Sequence, residues 1–167
     1  MKKTTTMGVS LKAALMGAGL LMGSLVQAAE LKVAHPWVAL PPPGAHATAA
    51  FMELHNPGEQ TVDLVAADAD GFQAVELHRS VNENGMHRMV RQERITVPAG
   101  DAVELAPGGY HVMLIGIERE LTEGDAVTLE LTLGDGSRLS VDAAVKRREQ
   151  LMGGHGHGHG DDHGHAH

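Results

Sequence analysis

Four residues with metal-binding side chains occur at spacings that a folded sheet could bring together. His78 is followed by ten residues and Met89, and twenty-one residues separate Met89 from the pair His111 and Met113. Imidazole and thioether groups are neutral, and the thioether sulfur is a soft donor. Such a ligand set suits Cu(I) and disfavours the hard ions Mg²⁺, Ca²⁺ and Mn²⁺. We therefore predict one metal site formed by these four residues.

The elements that must position these residues are predicted to be β-strands. From Leu31 onward apolar residues recur mostly with a period of two, and turn residues interrupt the pattern at short intervals. Long helices are hard to place anywhere in this part. Residues 29–146 are therefore predicted to form a single all-β domain, an antiparallel sandwich or barrel. Its clearest hairpin puts these apolar residues in the core: Val127, Leu129, Leu131, Leu133, Leu139, Val141, Ala143 and Val145.

Local turn and strand patterns place the candidate ligands in two groups. Asn84-Gly85 favours a tight turn, because both residues tolerate positive φ, so His78 and Met89 are expected on adjacent strands or at the mouth of their loop. His111 and Met113 are two residues apart on one strand and must point to the same side of it. That strand begins just after Pro-Gly-Gly (107–109), which places the pair near the rim of the sheet.

The remaining methionines and histidines of the domain are expected to have other roles. Met52 shares a strand face with Ala50 and Leu54, so we assign it to the core. A single histidine on a strand is usually structural or solvated. We give this assignment to the four other histidines of the domain, His35, His46, His55 and His87.

The first 28 residues have the three parts of a secretory signal. Lysines at the start precede an apolar run, and Val26-Gln27-Ala28 forms a small-residue cleavage site. A membrane anchor is the alternative, but glycine and serine interrupt the apolar run, which is shorter than the roughly 20 residues that span a bilayer. We expect cleavage after Ala28, export to the periplasm and no stable membrane insertion.

Residues 147–167 form a tail of a different composition. It is rich in glycine and histidine and has almost no apolar residues to bury, so we expect it to be disordered without metal. An affinity tag is the simple explanation, but Gly, Asp and Ala interrupt the histidines. We favour a natural secondary metal site formed by the six histidines of this segment: His155, His157, His159, His163, His165 and His167.

Charge and composition exclude several classes of function. The 167 residues include 13 basic and 21 acidic ones, a net charge of -8, which argues against a nucleic-acid partner. No cysteine is present, so disulfides and thiolate ligands are both excluded, and with them a blue-copper electron-transfer site. No Ser-His-Asp or paired-carboxylate arrangement can be assembled with confidence, which favours a carrier over an enzyme.

The sequence also resembles a known family. His78, Met89 and the run His111-Val112-Met113 match the copper-site motif of the periplasmic PCu(A)C copper chaperones, also called the DUF461 family, and the run Pro-Gly-Gly-Tyr-His-Val-Met-Leu-Ile-Gly (107–116) is highly specific. The resemblance covers about 31–145. It implies a cupredoxin-like fold that binds Cu(I) through the two histidines and two methionines. It also implies delivery toward the CuA centre of cytochrome c oxidase subunit II, or to another copper protein such as an SCO-type assembly factor, and Cu(II) binding by the tail.

A second hypothesis belongs to a different class. The protein could be a periplasmic metal buffer or storage protein whose working part is the tail, taking up Cu(II), Zn or Ni by imidazole coordination. In that case Met89 and Met113 would merely be core residues. In either case we expect a monomer.

Overall fold

The computed structural model describes residues 31–148, and every described element of regular structure is a β-strand. The predicted signal at 1–28 and the tail histidines lie outside the described residues. None of the described residues belongs to a helix long and apolar enough to cross a membrane. The strands are β1 Lys32–Ala39, β2 Ala47–His55, β3 Val62–Ala69, β4 Phe72–Glu83, β5 Met86–Arg91, β6 Ile95–Val97, β7 Ala102–Leu105, β8 Tyr110–Ile117, β9 Ala126–Leu133 and β10 Arg138–Lys146.

The strands form one continuous sheet in the order β5-β4-β8-β7-β2-β1-β10-β9-β3-β6, with a second pairing of β8 to β2. Most neighbours are antiparallel, as predicted. The exceptions are β1 with β10 and a short contact of β7 with β8, both parallel. The β7–β8 contact is a single residue pair, Leu105 with Tyr110, whereas an extended parallel pair such as β1 with β10 requires a long connection. Because β1 and β10 are the first and last strands, their pairing could not be inferred from local turn signals.

A single hydrophobic core lies on one side of the curled sheet. It includes Leu77 of β4 and Val97 of β6, so strands near the two ends of the hydrogen-bonded order share the same interior. The predicted core position of Met52 is confirmed, with 2% of its surface exposed. Of the core residues predicted in the last hairpin, Leu139 and Val141 are half-buried. The others are fully buried: Val127, Leu129, Leu131, Leu133, Ala143 and Val145.

Asn56 ties two connections of the fold together. Its side chain is buried, and its Nδ2 donates to the carbonyl oxygens of Gln60 at 2.7 Å, Val97 at 3.1 Å and Pro98 at 3.1 Å. Its Oδ1 accepts a hydrogen bond from the Gly58 amide at 3.0 Å. One amide therefore closes the turn after β2 and fixes it to the end of β6.

Replacing this amide tests its contribution to stability. We expect Asn56→Ala to lower the free energy of unfolding by about 2–3 kcal/mol, because buried carbonyl groups lose their donor. Urea unfolding followed by circular dichroism measures the change. Asn82→Ala is the control, since Asn82 is exposed and its loss should cost no more than about 0.5 kcal/mol. Equal stability of the two variants would contradict this role.

Candidate metal centre

His78 and His111 are directly opposite each other on neighbouring strands. The antiparallel ladder between β4 and β8 pairs the two residues, and their ring centroids are 5.9 Å apart. Leu77 and Val112, their chain neighbours, point into the core, so both imidazoles lie on the other face of the sheet. His111 is nevertheless only 3% exposed, and 15% of the His78 side chain is accessible.

Hydrogen bonds fix which nitrogen of each ring carries the proton. The Gly109 carbonyl lies 3.1 Å from Nδ1 of His111, and the Glu76 carboxylate lies 2.8 Å from Nε2 of His78. Both are acceptors, so both of these nitrogens must donate. The other nitrogens, Nδ1 of His78 and Nε2 of His111, are buried and have no hydrogen-bond partner among residues 31–148.

These unpartnered nitrogens carry the lone pairs that could coordinate a metal. A buried polar atom without a partner costs free energy, so its persistence requires an explanation. Metal-binding histidines commonly donate their second N–H to a carboxylate or a backbone carbonyl, which orients the ring and raises its basicity. Here Glu76 supplies the carboxylate for His78, and Gly109 supplies the backbone carbonyl for His111. The donor set therefore fits a metal ion that accepts imidazole nitrogen.

Local electrostatics favour the neutral, metal-binding form of His111. Burial lowers the pKa of His111, against the opposing effect of the Gly109 hydrogen bond, and the nearby His78 lowers it further. The hydrogen bond from His78 lowers the pKa of Glu76, and the positive charge of Arg91, 3.2 Å away, acts in the same direction. The neutral imidazole of His111 thus lies beside His78, whose imidazole is hydrogen-bonded to the ionised carboxylate of Glu76.

Met113 lies on the same face as the two imidazoles. It is two residues beyond His111 on β8 and packs with a small apolar cluster on this outer face, formed with Trp37, Ala39, Ala49 and Phe51. The ring of Phe51 is 6.3 Å from that of His111 and 4.6 Å from that of Trp37. This aromatic wall excludes water from one side of the site.

Met89 belongs to a separate, projecting element. The pairing of β4 with β8 ends at Arg79, and residues 80–89 continue as a two-stranded ribbon of β4 and β5. A hydrogen bond of 3.0 Å from the Ser80 amide to the Gly109 carbonyl anchors the base of this ribbon. The Asn84-Gly85 turn closes the ribbon with positive φ at both residues, as predicted. Met89 is opposite Ser80 and is 63% exposed, yet with Met113 it lines one open cleft of about 690 Å³.

The structure therefore groups the predicted site residues unequally. His78, His111 and Met113 share one compact surface, whereas Met89 lies on the same face but on the ribbon. The site is on the outer face of the sheet, with His111 near the start of its strand. Within residues 31–148 no group of three or more histidine, aspartate or glutamate side chains is arranged to hold a metal.

Two contributors were missed by the sequence analysis. Glu76 stands two residues before His78, so strand geometry puts both side chains on one face, and this spacing could have identified it. The Gly109 carbonyl is a backbone group, so residue type gives no indication of its role, and only the structure identifies it as the acceptor for His111. Of the histidines assigned to other roles, His35, His46 and His87 are exposed, and His55 is half-buried beside Glu53.

Comparison with known proteins gives the chain a family. The family model described as LpqE-like matches residues 31–145. The chain belongs to the LpqE-like family. A relative from Leifsonia xyli subsp. xyli (strain CTCB07), the protein Lxx21020, is 35% identical over 121 residues, covering 72% of each chain. The name of that relative describes it as a lipoprotein.

Solved structures agree with this LpqE-like assignment. A copper-bound PCuAC domain from PmoF2 superposes with a TM-score of 0.61 at 26% identity, covering 72% of this chain and 97% of that one. The Cu(I) form of DR1885 from Deinococcus radiodurans gives 0.58 at 35% identity, covering 70% and 79%. The resemblance to PCu(A)C proteins and the cupredoxin-like all-β fold are thereby confirmed.

Burial of His111 should make stability depend on pH. The unfolded chain takes up a proton near pH 6.5, whereas the folded chain, with its lowered His111 pKa, does so only at lower pH. The unfolded state then binds more protons, so this contribution to stability is complete above about pH 6.5 and is lost as pH falls toward the folded pKa. Urea midpoints between pH 7.5 and pH 5 measure it.

The control for this prediction is His111→Gln, which cannot take up that proton. Its urea midpoint should fall less over the same pH range than that of the wild type. An identical fall in both proteins would show that other groups cause the acid sensitivity.

Proposed function

We propose that this protein is an exported copper metallochaperone that holds Cu(I) with His78, Met89, His111 and Met113. The observation that carries the proposal is the facing pair of buried imidazoles, each with one nitrogen fixed by an acceptor and the other unpartnered. The thioether-bearing Met113 on the same face supplies the soft donor that selects Cu(I) among biological metals.

The ligand set suits transport of the ion rather than chemistry on it. All four ligands are neutral, so Cu(I) keeps a single positive charge, and binding to neutral imidazole releases no proton. Without cysteine the chain lacks the thiolate of blue-copper sites, so electron transfer of that kind is excluded. We therefore assign the protein as a carrier and not as an enzyme.

Met89 is proposed to complete the site from the ribbon. All residues of β5 are exposed, and an isolated two-stranded hairpin is marginally stable, so moving Met89 toward the imidazoles disrupts little packing. Holding one ligand on a movable element also gives a simple route for release. When the ribbon moves away, the copper loses Met89 as a ligand, and a ligand from the recipient protein can take its place.

Export and delivery extend this proposal. The leader at 1–28 would direct the protein to the periplasm, and the copper-bound state of its PCuAC-domain relatives supports copper as the cargo. We propose delivery toward the CuA centre of cytochrome c oxidase subunit II, or to an SCO-type assembly factor. The tail histidines are proposed to bind Cu(II) separately.

Ligand substitution tests the site directly. Removing His111 or Met113, in His111→Ala or Met113→Leu, should weaken Cu(I) binding by about 100-fold or more, because even residues behind the ligands typically change affinity 10- to 100-fold. Competition with a Cu(I) chelator measures the affinity, and circular dichroism verifies the fold. His46→Ala and Met52→Leu are matched controls outside the site. Unchanged affinity in both ligand variants would refute the proposal.

Truncation after Lys146 separates this proposal from the metal-buffer hypothesis. The truncated protein should retain Cu(I) affinity unchanged, because every proposed Cu(I) ligand lies upstream, and should lose Cu(II) binding measured by isothermal titration calorimetry. If truncation abolishes all metal binding, the tail is the working part and the buffer hypothesis is correct.

A further inference from the structure

The ribbon carries a second histidine-methionine pair with the spacing found on β8. His87 precedes Met89 by two residues, as His111 precedes Met113. In the β4–β5 ladder His87 is opposite Asn82, Met89 is opposite Ser80, and Arg91 is opposite His78. Paired residues of a ladder point to the same face of a sheet. His87 and Met89 therefore both lie on the face that carries the imidazole pair.

The two faces of the ribbon differ in charge. On the far face Arg88 pairs with Glu83 at 3.4 Å, and the guanidinium of Arg79 lies 5.0 Å from the centre of the Tyr110 ring. On the face shared with the metal site, the cross-strand neighbours of His87 and Met89 are the uncharged Asn82 and Ser80. Arg91, at the base of this face, is held by Glu76. Within residues 80–89, the metal-binding side chains of His87 and Met89 thus lie on the face opposite to the Arg88–Glu83 pair.

The ribbon donors are also the accessible ones. His87 is exposed and Met89 is 63% exposed, whereas His111 is 3% exposed. A recipient that approaches this face can contact the ribbon without disturbing the packed aromatic wall beside His111. A copper ion leaving the buried pair would meet the ribbon donors on the same face of the sheet.

We propose that His87 is a further copper-binding residue, which forms with Met89 a transfer site on the ribbon, separate from the storage position at His78 and His111. The proposal rests on the Cu(I)-carrier function above. During transfer Met89 stays bound, the bonds from copper to the two buried imidazole nitrogens and to the Met113 sulfur break, and a bond to the His87 imidazole forms. Copper remains Cu(I) throughout, so no oxidant or reductant is needed.

Removal of Cu(I) by excess bathocuproine disulfonate, followed by stopped-flow absorbance, tests the transfer site. His87→Ala should slow removal about tenfold, which corresponds to roughly 1.4 kcal/mol in the barrier, while equilibrium Cu(I) affinity stays within about twofold. Arg88→Ala is the matched control on the far face of the ribbon and should not slow removal. Exchanging the two residues, in His87→Arg with Arg88→His, keeps the composition but turns the imidazole away, and should behave like His87→Ala.

A second measurement isolates the ribbon site. With both buried imidazoles removed, in His78→Ala with His111→Ala, weak Cu(I) binding should remain and should disappear when His87→Ala is added. The inference is overturned if His87→Ala releases copper as fast as the wild type, or if the exchanged variant does so. These outcomes are distinguishable from failure of the carrier function, which would appear as unchanged Cu(I) affinity in His111→Ala.

Discussion

The register between β4 and β8 is the constraint on which the rest of the molecule depends. It sets His78 opposite His111 on the outer face and, in the same stretch, Leu77 and Val112 inside the core. The same hydrogen bonds that hold the sheet therefore hold the two imidazoles in position. A shift of one residue would exchange the two faces, so core packing enforces the geometry of the site.

Burial and hydrogen bonding then give these imidazoles their properties. The aromatic wall removes water from His111, which favours its neutral form, and the acceptors at Glu76 and Gly109 turn the remaining lone pairs inward. Leaving two buried nitrogens unpartnered lowers the stability of the metal-free protein. A fold stabilised by a continuous apolar core can tolerate that cost, and metal binding would offset it.

Local features of the fold were predictable because they depend on local chemistry. Period-two alternation identified the burial of Met52 and the shared side of His111 and Met113, and Asn84-Gly85 identified the hairpin. Long-range features were not predictable. Nothing in the pattern of β4 or β8 states that they are neighbours, because three strands intervene in sequence, and the parallel pairing of β1 with β10 joins the two ends of the domain.

The residues of the candidate site could be selected from the sequence, whereas their arrangement in space could not. Residue types and spacing identified the donors, but only the register showed that the imidazoles are directly paired while Met89 lies on a projecting edge. The acceptor behind His111 is a backbone carbonyl, and backbone groups carry no residue-type signal. The acceptor behind His78, in contrast, is the Glu76 side chain, which the spacing of Glu76 and His78 could have identified.

The two candidate thioether ligands differ in their exposure to oxidants. Met89 is 63% exposed, whereas Met113 is partly covered by Trp37 and Phe51. Oxidation to the sulfoxide converts a soft sulfur donor into a polar group and is reversed only by a dedicated reductase. Damage would therefore fall first on the ribbon and leave the core and the imidazole pair intact, so an oxidised molecule would remain folded yet lack the soft donor proposed at Met89.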